Sequence, residues 1–431
     1  PAPGSPLSPV RPGGRPVADE LTVEPDLRFD PAVPALPLVA DLEAVASLFA
    51  AQGHEVSELR RQDVKYTPLT RCVASYAVTI TGGAGGRRRT VAAVVVTPAG
   101  TSLRLADDDE GLPGLAEALD PACMLPRLDE ALAPAERVTG CTATPVRYKF
   151  GARCTVRYDV RTATGAGTLY GKLAADGWRE RLATLAALAR AGRDRPAMPG
   201  ILPVVAHWGD LHLLLQPAAE GAAELNQRAF DPAEPEKARD GWLWAAGRHL
   251  GGLHACRLPD ALLSLAGGDL DELRACAAPM AQADQRLAHR YRSIVDLLEQ
   301  RAGAGPPEPA VTSHGAMRTD QFLIVGDRLV MIDLDTVRRS EPARDLGNLL
   351  AYLDWKAIRL PALAPFCERG ARMVLDGYAG VRPAPEGPRL ALQRATSLLK
   401  IAGRRYRSLT VREWPLVPRL LDAAATALAS A

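Results

Sequence analysis

Residues 313–321 read SHGAMRTDQ and residues 332–335 read IDLD, and these two segments decide the fold of this chain. The sequence between them is apolar on both sides of the turn Gly326-Asp327, so it predicts a β-hairpin that ends at the carboxylate of Asp333. The loop before the hairpin supplies an amide side chain, Gln321, and amide and carboxylate oxygens suit a hard divalent cation. The pattern therefore predicts one polar site built from a loop and a strand end.

The order and spacing of these residues resemble the catalytic and metal-binding segments of the aminoglycoside phosphotransferase and choline kinase family. The resemblance covers about residues 140–420 and is most specific at residues 313–347. It implies an α+β, bilobal, protein-kinase-like fold, and transfer of the γ-phosphate of ATP, with Mg²⁺, to a hydroxyl group. The hydroxyl would belong to a small molecule or a peptide. The helical half, which would select that substrate, is not decoded by the sequence.

The same resemblance assigns roles along the loop. His314 would open the catalytic segment, and Arg318 would offer a cation to the γ-phosphate. The metal ligands would be Gln321, Asp333 and Asp335. For each residue alone the alternative is an ordinary polar loop residue, but their order and spacing together favour the site. Downstream, Asp345 is predicted to be a structural N-cap.

Position 316 departs from the family pattern. The resemblance implies an Asp there, which accepts the proton of the substrate hydroxyl, whereas this chain has Ala316. Removal of a general base typically slows a reaction by ~10²- to 10⁴-fold. Three explanations stay open: an engineered substitution in an active kinase, a natural pseudokinase that binds without turnover, and a base supplied from elsewhere. Because the other predicted contacts are retained, the sequence favours an engineered or very recent loss.

An internal repeat with an offset of 82 residues lies upstream of the loop. Each copy predicts a strand, a short turn, an alternating strand and a third strand, so two small β-sheet units precede the helical half. The segment between them, Gly111–Leu132, is predicted to be a helical and irregular link. The matched residues are Val64-Lys65-Tyr66, Arg71-Cys72, Tyr76 and Val78 in the first copy, and Val146-Arg147-Tyr148, Arg153-Cys154, Tyr158 and Val160 in the second.

The second copy carries the predicted nucleotide contacts. The resemblance implies that Lys172, on the third strand, binds phosphates and that Glu180, on the next helix, holds the lysine. It further places Arg153 beside a reduced phosphate-binding turn and Gln216 at the hinge between the lobes. The alternative for Lys172 and Glu180 is a pair of surface residues, which the downstream segments make less favoured. The turn carries a single glycine, and Gln216 is assigned by its position alone, because an apolar strand that ends at a proline is common.

The first copy lacks this lysine. If Thr90 and Thr168 begin equivalent strands, the counterpart of Lys172 is Val94, so the first copy is predicted to be a non-catalytic cap. The predicted domains are a disordered leader at 1–30, the cap at 31–135, a kinase N-lobe at 136–216 and a helical C-lobe at 217–431. The extra N-terminal lobe is also a candidate surface for a partner protein.

Composition limits the other functions that the chain can have. The net charge of +2 gives no strong field for nucleic acid or an anionic membrane. The seven cysteines are scattered without a metal-binding spacing, which indicates reduced thiols. No apolar run approaches the ~18 to 20 residues that span a bilayer. The sequence therefore predicts a soluble cytoplasmic protein.

Overall fold

The computed structural model describes residues 27–81, 86–133, 136–302 and 308–431, and its helices and sheets form an α+β fold. Sheets dominate the chain up to Pro217 and helices dominate after it, as the sequence predicted. Residues 1–26 of the predicted leader lie outside the described residues. Leu27 and Asp30, which the predicted leader included, are instead buried against the first sheet. In the described ranges, no helix has the length and apolarity needed to cross a membrane.

The first copy of the repeat is a helix followed by a four-stranded antiparallel sheet. The Asp41 carboxylate caps the helix, because it accepts hydrogen bonds from the free N–H groups of Glu43 and Ala44. The sheet buries Tyr66 and Tyr76 against the helix. The elements are α1 (Leu42–Ala51), β1 (Glu55–Thr67), β2 (Arg71–Thr81), β3 (Arg88–Thr97) and β4 (Gly100–Leu105).

The second copy has the same order of helix and strands, and it buries Tyr148 and Tyr158 at the equivalent positions. Two later strands extend its sheet, which has the order β5-β6-β7-β10-β9. The elements are α2 (Leu115–Leu119), α3 (Pro121–Leu132), β5 (Val138–Lys149), β6 (Arg153–Thr162), β7 (Ala166–Ala174), α4 (Arg179–Asp194), β8 (Gly200–Ile201), which joins another sheet, β9 (Ala206–Trp208) and β10 (Leu213–Pro217).

A buried carboxylate locks the turn between the first two strands of the second copy. Asp109 accepts a 2.8 Å hydrogen bond from the Tyr148 hydroxyl. It also accepts from the N–H of Gly151, at 3.0 Å, and Gly151 has a positive φ of 68°. One buried carboxylate thus fixes both a core tyrosine and the left-handed residue of the turn.

The first copy contains the same lock. Asp30 accepts from the Tyr66 hydroxyl at 2.6 Å and from the N–H of Leu69 at 2.8 Å, and Leu69 also has a positive φ, 59°. We call each of these arrangements the Asp–Tyr–turn lock. The sequence analysis missed it because Asp30 and Asp109 are 79 residues apart, not 82. The predicted link Gly111–Leu132 therefore belongs to the second copy and not to the cap.

The strand register corrects one predicted equivalence. On β3, Val95 precedes the partner of Cys72, and on β7, Lys172 precedes the partner of Cys154. Val95, and not Val94, therefore corresponds to Lys172. Register is set by strand pairing, so matching the first residues of two strands can be wrong by one position. The first copy still has valine where the second has lysine.

The two copies use one face of the sheet differently. Lys172 and Arg157 lie on the same face of the second sheet, because strand partners share a face and side chains alternate along each strand. The first-copy counterpart of Arg157 is Ser75, which is buried, and its hydroxyl accepts from the N–H of Phe150 at 3.1 Å. This face of the first sheet therefore packs against the second copy. In the second sheet, the equivalent face carries Lys172.

Helices and two small sheets make up the rest of the chain. One core lies between α6, α9, α10 and the predicted hairpin, and another lies between α7, α8, α11 and α12. The elements are α5 (Leu225–Arg228), α6 (Glu236–Ala255), α7 (Leu270–Ala283), α8 (Gln285–Ala302), α9 (Pro342–Arg359), α10 (Ala364–Ala379), α11 (Gly387–Arg407), α12 (Val417–Ala429), β11 (Ala223–Glu224), β12 (Val311–Ser313), the hairpin strands β13 (Phe322–Val325) and β14 (Arg328–Met331), and β15 (Arg338–Ser340).

Trp414 joins the first copy to the helical part. Its indole stacks on Tyr406, with ring centroids 4.4 Å apart, and meets the edge of Phe29 at 5.6 Å. The first copy is thus in contact with the second sheet on one side and with the end of α11 on the other.

Candidate functional site

Lys172 and Asp333 meet across the boundary between the second sheet and the helical part. The Nζ atom of Lys172, which lies near the end of β7, is 2.8 Å from Oδ1 of Asp333, which follows the hairpin. Burial raises the pKa of the Asp333 carboxyl, but the Lys172 ammonium and the Arg147 guanidinium more than offset this effect. The pKa of Asp333 is therefore lower than usual, and the carboxylate is charged at neutral pH.

The backbone of Asp333 is left-handed, with φ 56° and ψ 43°. Left-handed backbone is uncommon outside glycine, although Asp tolerates it better than most residues. It turns the chain out of β14 into a short 3₁₀ helix, Leu334–Thr336, so that the carboxylate leaves the strand direction. Such a conformation is often found where a structure aims a functional side chain.

The second predicted carboxylate also has a cationic partner from the second sheet. Arg153 Nη1, at the start of β6, is 3.3 Å from Asp335 Oδ2. Because 46% of the Arg153 side chain is exposed, water screens this pair and it contributes little to stability. Both Asp333 and Asp335 thus face basic residues of the second sheet.

Gln321 is buried directly before the first strand of the hairpin. Its backbone carbonyl accepts from the N–H of Ile332 at 2.9 Å, and its Nε2 donates to Asp320 Oδ1 at 3.2 Å. Its Oε1 atom is buried and has no hydrogen-bond partner in the described ranges. A buried acceptor without a partner costs ~1 to 3 kcal/mol, and a cation ligand would offset that cost.

The available oxygen atoms suit Mg²⁺ better than a metal held by protein alone. In the part of the chain that the structure describes, no group of three or more His, Cys, Asp or Glu residues is arranged to hold a metal. Mg²⁺ is typically bound through one or two carboxylates together with phosphate oxygens and water. Asp333, Asp335 and the free amide oxygen of Gln321 fit that chemistry.

The loop that begins at Ser313 is held from behind by Asp345. This residue lies within the first turn of α9, after the N-cap Glu341, so the predicted N-cap role is wrong. Its buried carboxylate accepts from the Ser313 hydroxyl at 2.7 Å and from the N–H groups of His314 and Gly315 at 2.6 and 2.9 Å. Burial raises the pKa of Asp345, but His254 first, and then His314 and the Ser313 hydroxyl, together lower it well below the usual range.

His314 is fully buried, so it has no surface on which a substrate could lie. Its Nε2 atom is 2.9 Å from the carbonyl oxygen of Ile332, directly before Asp333, and its Nδ1 atom has no partner in the described ranges. The predicted catalytic residue therefore ties the loop to the strand end. Its ring therefore lies where it can fix the strand end that precedes Asp333.

One face of α9 holds most of the remaining loop. The side-chain amide of Asn348 donates to the Met317 carbonyl at 2.8 Å, and the Arg318 guanidinium lies 5.2 Å from the Tyr352 ring centre. With Asp345, these helix residues recur at three- and four-residue spacing, which places them on one face. The sequence analysis missed this stripe, although polar residues at helical spacing in an apolar helix are a readable signal.

The same face ends at Lys356, which donates to Asn226 Oδ1 at 2.9 Å. The Thr319 hydroxyl donates to the same oxygen, also at 2.9 Å. Burial lowers the pKa of Lys356 to about 8. The Lys356 Nζ atom lies 3.7 Å from the centre of the Phe230 ring. The predicted loop is therefore attached to α9 along its length, directly or through Asn226.

Of two further predicted nucleotide contacts, Glu180 lies away from Lys172, whereas Gln216 lies at the predicted end of an apolar strand. Glu180 is exposed in the first turn of α4 and has no ion pair or hydrogen bond within the described residues, so it does not hold Lys172. Leu185 and Leu188 are buried, so the face of this helix that packs against the protein is apolar and Glu180 lies outside it. Gln216 lies at the end of β10, where its Nε2 donates to the Leu202 carbonyl at 3.1 Å.

The predicted phosphate-binding turn has no free N–H group at its centre. The N–H of Phe150 donates to Ser75, that of Gly151 donates to Asp109, and that of Ala152 donates to the Lys149 carbonyl. A phosphate-binding turn works by pointing such groups at the ligand. In this structure the protein itself uses them.

No protein-family model and no curated protein sequence matches this chain. Solved structures do match. Amicoumacin kinase hAmiN in complex with AMP-PNP, Ca²⁺ and Ami is 12% identical, with a TM-score of 0.48 over 66% of this chain and 88% of that one. Aminoglycoside phosphotransferase APH(4)-Ia is 15% identical, with a TM-score of 0.46 over 68% and 94%. Glucosamine kinase in complex with glucosamine, ADP and inorganic phosphate is 17% identical, with a TM-score of 0.43 over 86% and 93%.

These comparisons concern the fold. The chain is similar to these kinases and phosphotransferases, and its α+β architecture is given by its own helices and sheets.

Proposed function

We propose that this chain is a phosphotransferase-type protein that binds ATP with Mg²⁺ between its second sheet and the 313–335 segment. The observation that carries the proposal is the 2.8 Å contact between Lys172 and Asp333. A lysine from one half and a charged carboxylate from the other half are brought together at the base of the interlobe boundary. Phosphoryl transfer requires such a cation for phosphates and such a ligand for the metal.

The other residues take roles around this pair. Gln321, Asp333 and Asp335 would hold the ion, which would neutralise phosphate charge when bound. Lys172 and Arg153 would contact the phosphates from the second sheet, and Arg318 would face the γ-phosphate. The acceptor would be a hydroxyl of a small molecule or peptide, and the protein would act in the cytoplasm.

Ala316 has no group that could orient the acceptor hydroxyl or take its proton. The loop around it is held at residues 313–315 and 317–319, so the backbone at 316 has a fixed position. Positioning and charge stabilisation carry much of phosphoryl transfer, so we expect slow turnover and not its complete loss.

A second candidate function is a binding protein that presents a nucleotide, ligand or peptide without turnover. It is favoured by the turn at residues 150–152, whose N–H groups are all bonded within the protein. It is also favoured by the exposed position of Glu180.

Nucleotide binding tests both candidates at once. ATP with Mg²⁺ should raise the thermal unfolding temperature of the unchanged protein, and Lys172→Ala should lose most of this shift. The matched control is Lys65→Ala, which removes an exposed lysine from β1 of the first copy and should keep the shift. If ATP with Mg²⁺ does not stabilise the unchanged protein, nucleotide binding is wrong for both candidates.

Restoring the carboxylate at 316 separates the two candidates. In Ala316→Asp, ADP formation should rise by ~10²- to 10⁴-fold in a screen of amino sugars, amino alcohols and Ser/Thr peptides. Ala275→Asp, which adds the same charge at an exposed site on α7, is the control and should change nothing. If Ala316→Asp binds ATP yet forms no ADP, the binding protein is the better account.

A further inference from the structure

Two arginines meet at Tyr352, beside the loop that carries Ala316. The Arg318 guanidinium lies 5.2 Å from the centre of the Tyr352 ring, and Arg404 Nη1, from α11, lies 3.5 Å from the Tyr352 hydroxyl. Burial raises the pKa of this hydroxyl, but Arg318 and then Arg404 more than offset the effect, so its pKa is lower than usual. The hydroxyl therefore lies in a positive potential, although Asp320 pairs with Arg318 at 2.9 Å.

Arg404 belongs to a larger group of charges, which we call the basic cluster. Its four cations share the carboxylates of Asp269 and Glu272: Arg344, Lys400, Arg404 and Arg407. Within the described residues these cations have no other carboxylate partner. Four cations and two carboxylates leave an excess of two positive charges, as large as the net charge of +2 of the whole chain. Arg404 and Arg407 are 37% and 38% exposed, so a ligand can reach this excess charge.

The loop connects the basic cluster to the segment of the proposed metal ligands. Before Ala316, the carbonyl of His314 accepts from the hydroxyl of Thr336 at 2.8 Å, three residues after Asp333. After Ala316, only two residues of chain lead to Arg318, so the two Cα atoms are at most ~7 Å apart. Position 316 therefore lies between the segment of Asp333 and the arginine that meets the basic cluster.

We propose that the acceptor of this protein is acidic and that Arg404 and Arg407 bind its carboxylate groups beside position 316. This inference rests on the proposed function and names the class of its acceptor. A guanidinium binds a carboxylate through paired N–H donors. Lys400 to Arg407 covers about 10 Å of the helix, so the cluster can contact several singly charged groups along a chain. A peptide with acidic residues around its Ser or Thr fits this surface.

Fluorescence anisotropy with two labelled peptides tests the inference without turnover or nucleotide. One peptide has a single Ser between two pairs of Glu, and its twin has Gln in place of each Glu. The unchanged protein should bind the acidic peptide more tightly than the twin. Arg404→Gln with Arg407→Gln should weaken binding of the acidic peptide by about tenfold, and added salt should weaken it in the unchanged protein.

Two further double variants serve as controls. Arg87→Gln with Arg372→Gln removes the same charge from exposed arginines that also pair with glutamates, and it should keep the affinity for the acidic peptide. Arg404→Lys with Arg407→Lys keeps both charges and should retain most of that affinity. If inorganic phosphate displaces the peptide where chloride of equal ionic strength does not, the cluster is a site for a single phosphate group and the inference is wrong.

A cross-link tests whether the bound peptide reaches position 316. In Ala316→Cys, an acidic peptide with a chloroacetyl group at the Ser position should alkylate the introduced thiol, with loss of chloride. Mass spectrometry should locate the adduct at position 316. Adding Arg404→Gln and Arg407→Gln should slow this reaction by about tenfold. Equal rates for the acidic peptide and its Gln twin would show that acidic groups do not bring the acceptor to the site.

The outcomes separate this inference from the proposed function. If ATP with Mg²⁺ stabilises the protein but the two peptides bind equally, the acidic acceptor is overturned while the proposed function stands. The same conclusion follows if Arg404→Gln with Arg407→Gln binds the acidic peptide as tightly as the unchanged protein. If ATP with Mg²⁺ does not stabilise the protein, the proposed function fails, and the acceptor role of the basic cluster fails with it.

Discussion

Among single residues, Lys172 bears most directly on how the proposed site would bind a nucleotide. Its ammonium is already paired with Asp333, the residue proposed to hold the metal. A phosphate that approaches Lys172 must therefore replace a carboxylate, whereas an ion bound to Asp333 would release the lysine. We expect ATP and Mg²⁺ to bind cooperatively for this reason.

Asp333→Asn tests this coupling. The Asp333 side chain is 41% exposed, so the pair is worth only ~0.2 to 1 kcal/mol. Removing its charge should therefore tighten metal-free ATP binding by at most about fivefold and should abolish the gain from Mg²⁺. Titration calorimetry with EDTA or with Mg²⁺ measures both effects. Asp176→Asn, which removes an exposed carboxylate paired with Arg181, is the control. A Mg²⁺ dependence that survives in Asp333→Asn would contradict the assigned metal ligand.

The buried pair His254 and Asp345 predicts how stability varies with pH. Burial lowers the pKa of His254, so the unfolded chain binds more protons at this site and stability falls as the pH falls. The loss begins below the ordinary histidine pKa of about 6.5. The pKa of Asp345 is also lowered, which adds a second loss below about pH 4.

Urea unfolding between pH 7.5 and 5 measures the histidine part. The free energy of unfolding should fall with a limiting slope of about 1.4 kcal/mol per pH unit for this one group. In His254→Gln that part of the slope should disappear, whereas His289→Gln, at an exposed position on α8, should keep it. An unchanged slope in His254→Gln would show that another group titrates.

Among the elements, helix α9 acts as the support of the loop. Four of its side chains, spaced by three or four residues, contact the loop or the residue that holds it: Asp345, Asn348, Tyr352 and Lys356. A helix is stiff, so contacts along one face fix the loop as a unit. The loop geometry is therefore a property of α9 as much as of its own sequence.

Asn348→Ala should disturb the loop with little effect on nucleotide binding. The Met317 carbonyl would lose its donor, which costs ~1 to 3 kcal/mol of stability. In an Ala316→Asp background, the shift of the loop should slow ADP formation by ~10- to 100-fold. Steady-state kinetics should show the loss in kcat and not in the KM for ATP. Arg359→Ala, at the exposed end of the same helix, should leave kcat unchanged.

The sequence predicted the elements better than it predicted their contacts. The hairpin, the repeated sheets and the helical half follow from periodicity and turn residues, which are local signals. The predicted contact between Glu180 and Lys172 was wrong, because the position of a residue in the first turn of a helix does not specify which distant residue its side chain contacts. Which groups bond Asp109, Asp345 or the N–H of Gly151 depends on residues distant in sequence, so no local pattern predicts it.

At the scale of the whole molecule, the two sheet units form a natural comparison. Both contain the Asp–Tyr–turn lock, but only the second carries a lysine at the position of Lys172, where the first has Val95. The first unit packs on the second sheet through Ser75 and on the helical part through Trp414. A change in one unit can therefore be measured against the same change in the other.

Asp30→Asn and Asp109→Asn are such a matched pair. Each removes a buried charge that accepts from a tyrosine hydroxyl and a turn N–H, so each should cost ~1 to 3 kcal/mol of stability. Only Asp109→Asn alters the turn beside Arg153, so only this variant should change the affinity for ATP with Mg²⁺. Equal effects of both variants on ATP affinity would contradict the assignment of the nucleotide to the second unit.

The turn at Gly151 is closed in two different ways. The bond from the N–H of the left-handed turn residue to the buried carboxylate is present in both units. The bond from the N–H of Phe150 to Ser75 joins one unit to the other. One part of the closure is therefore built into each sheet unit, and the other part depends on the contact between the two units.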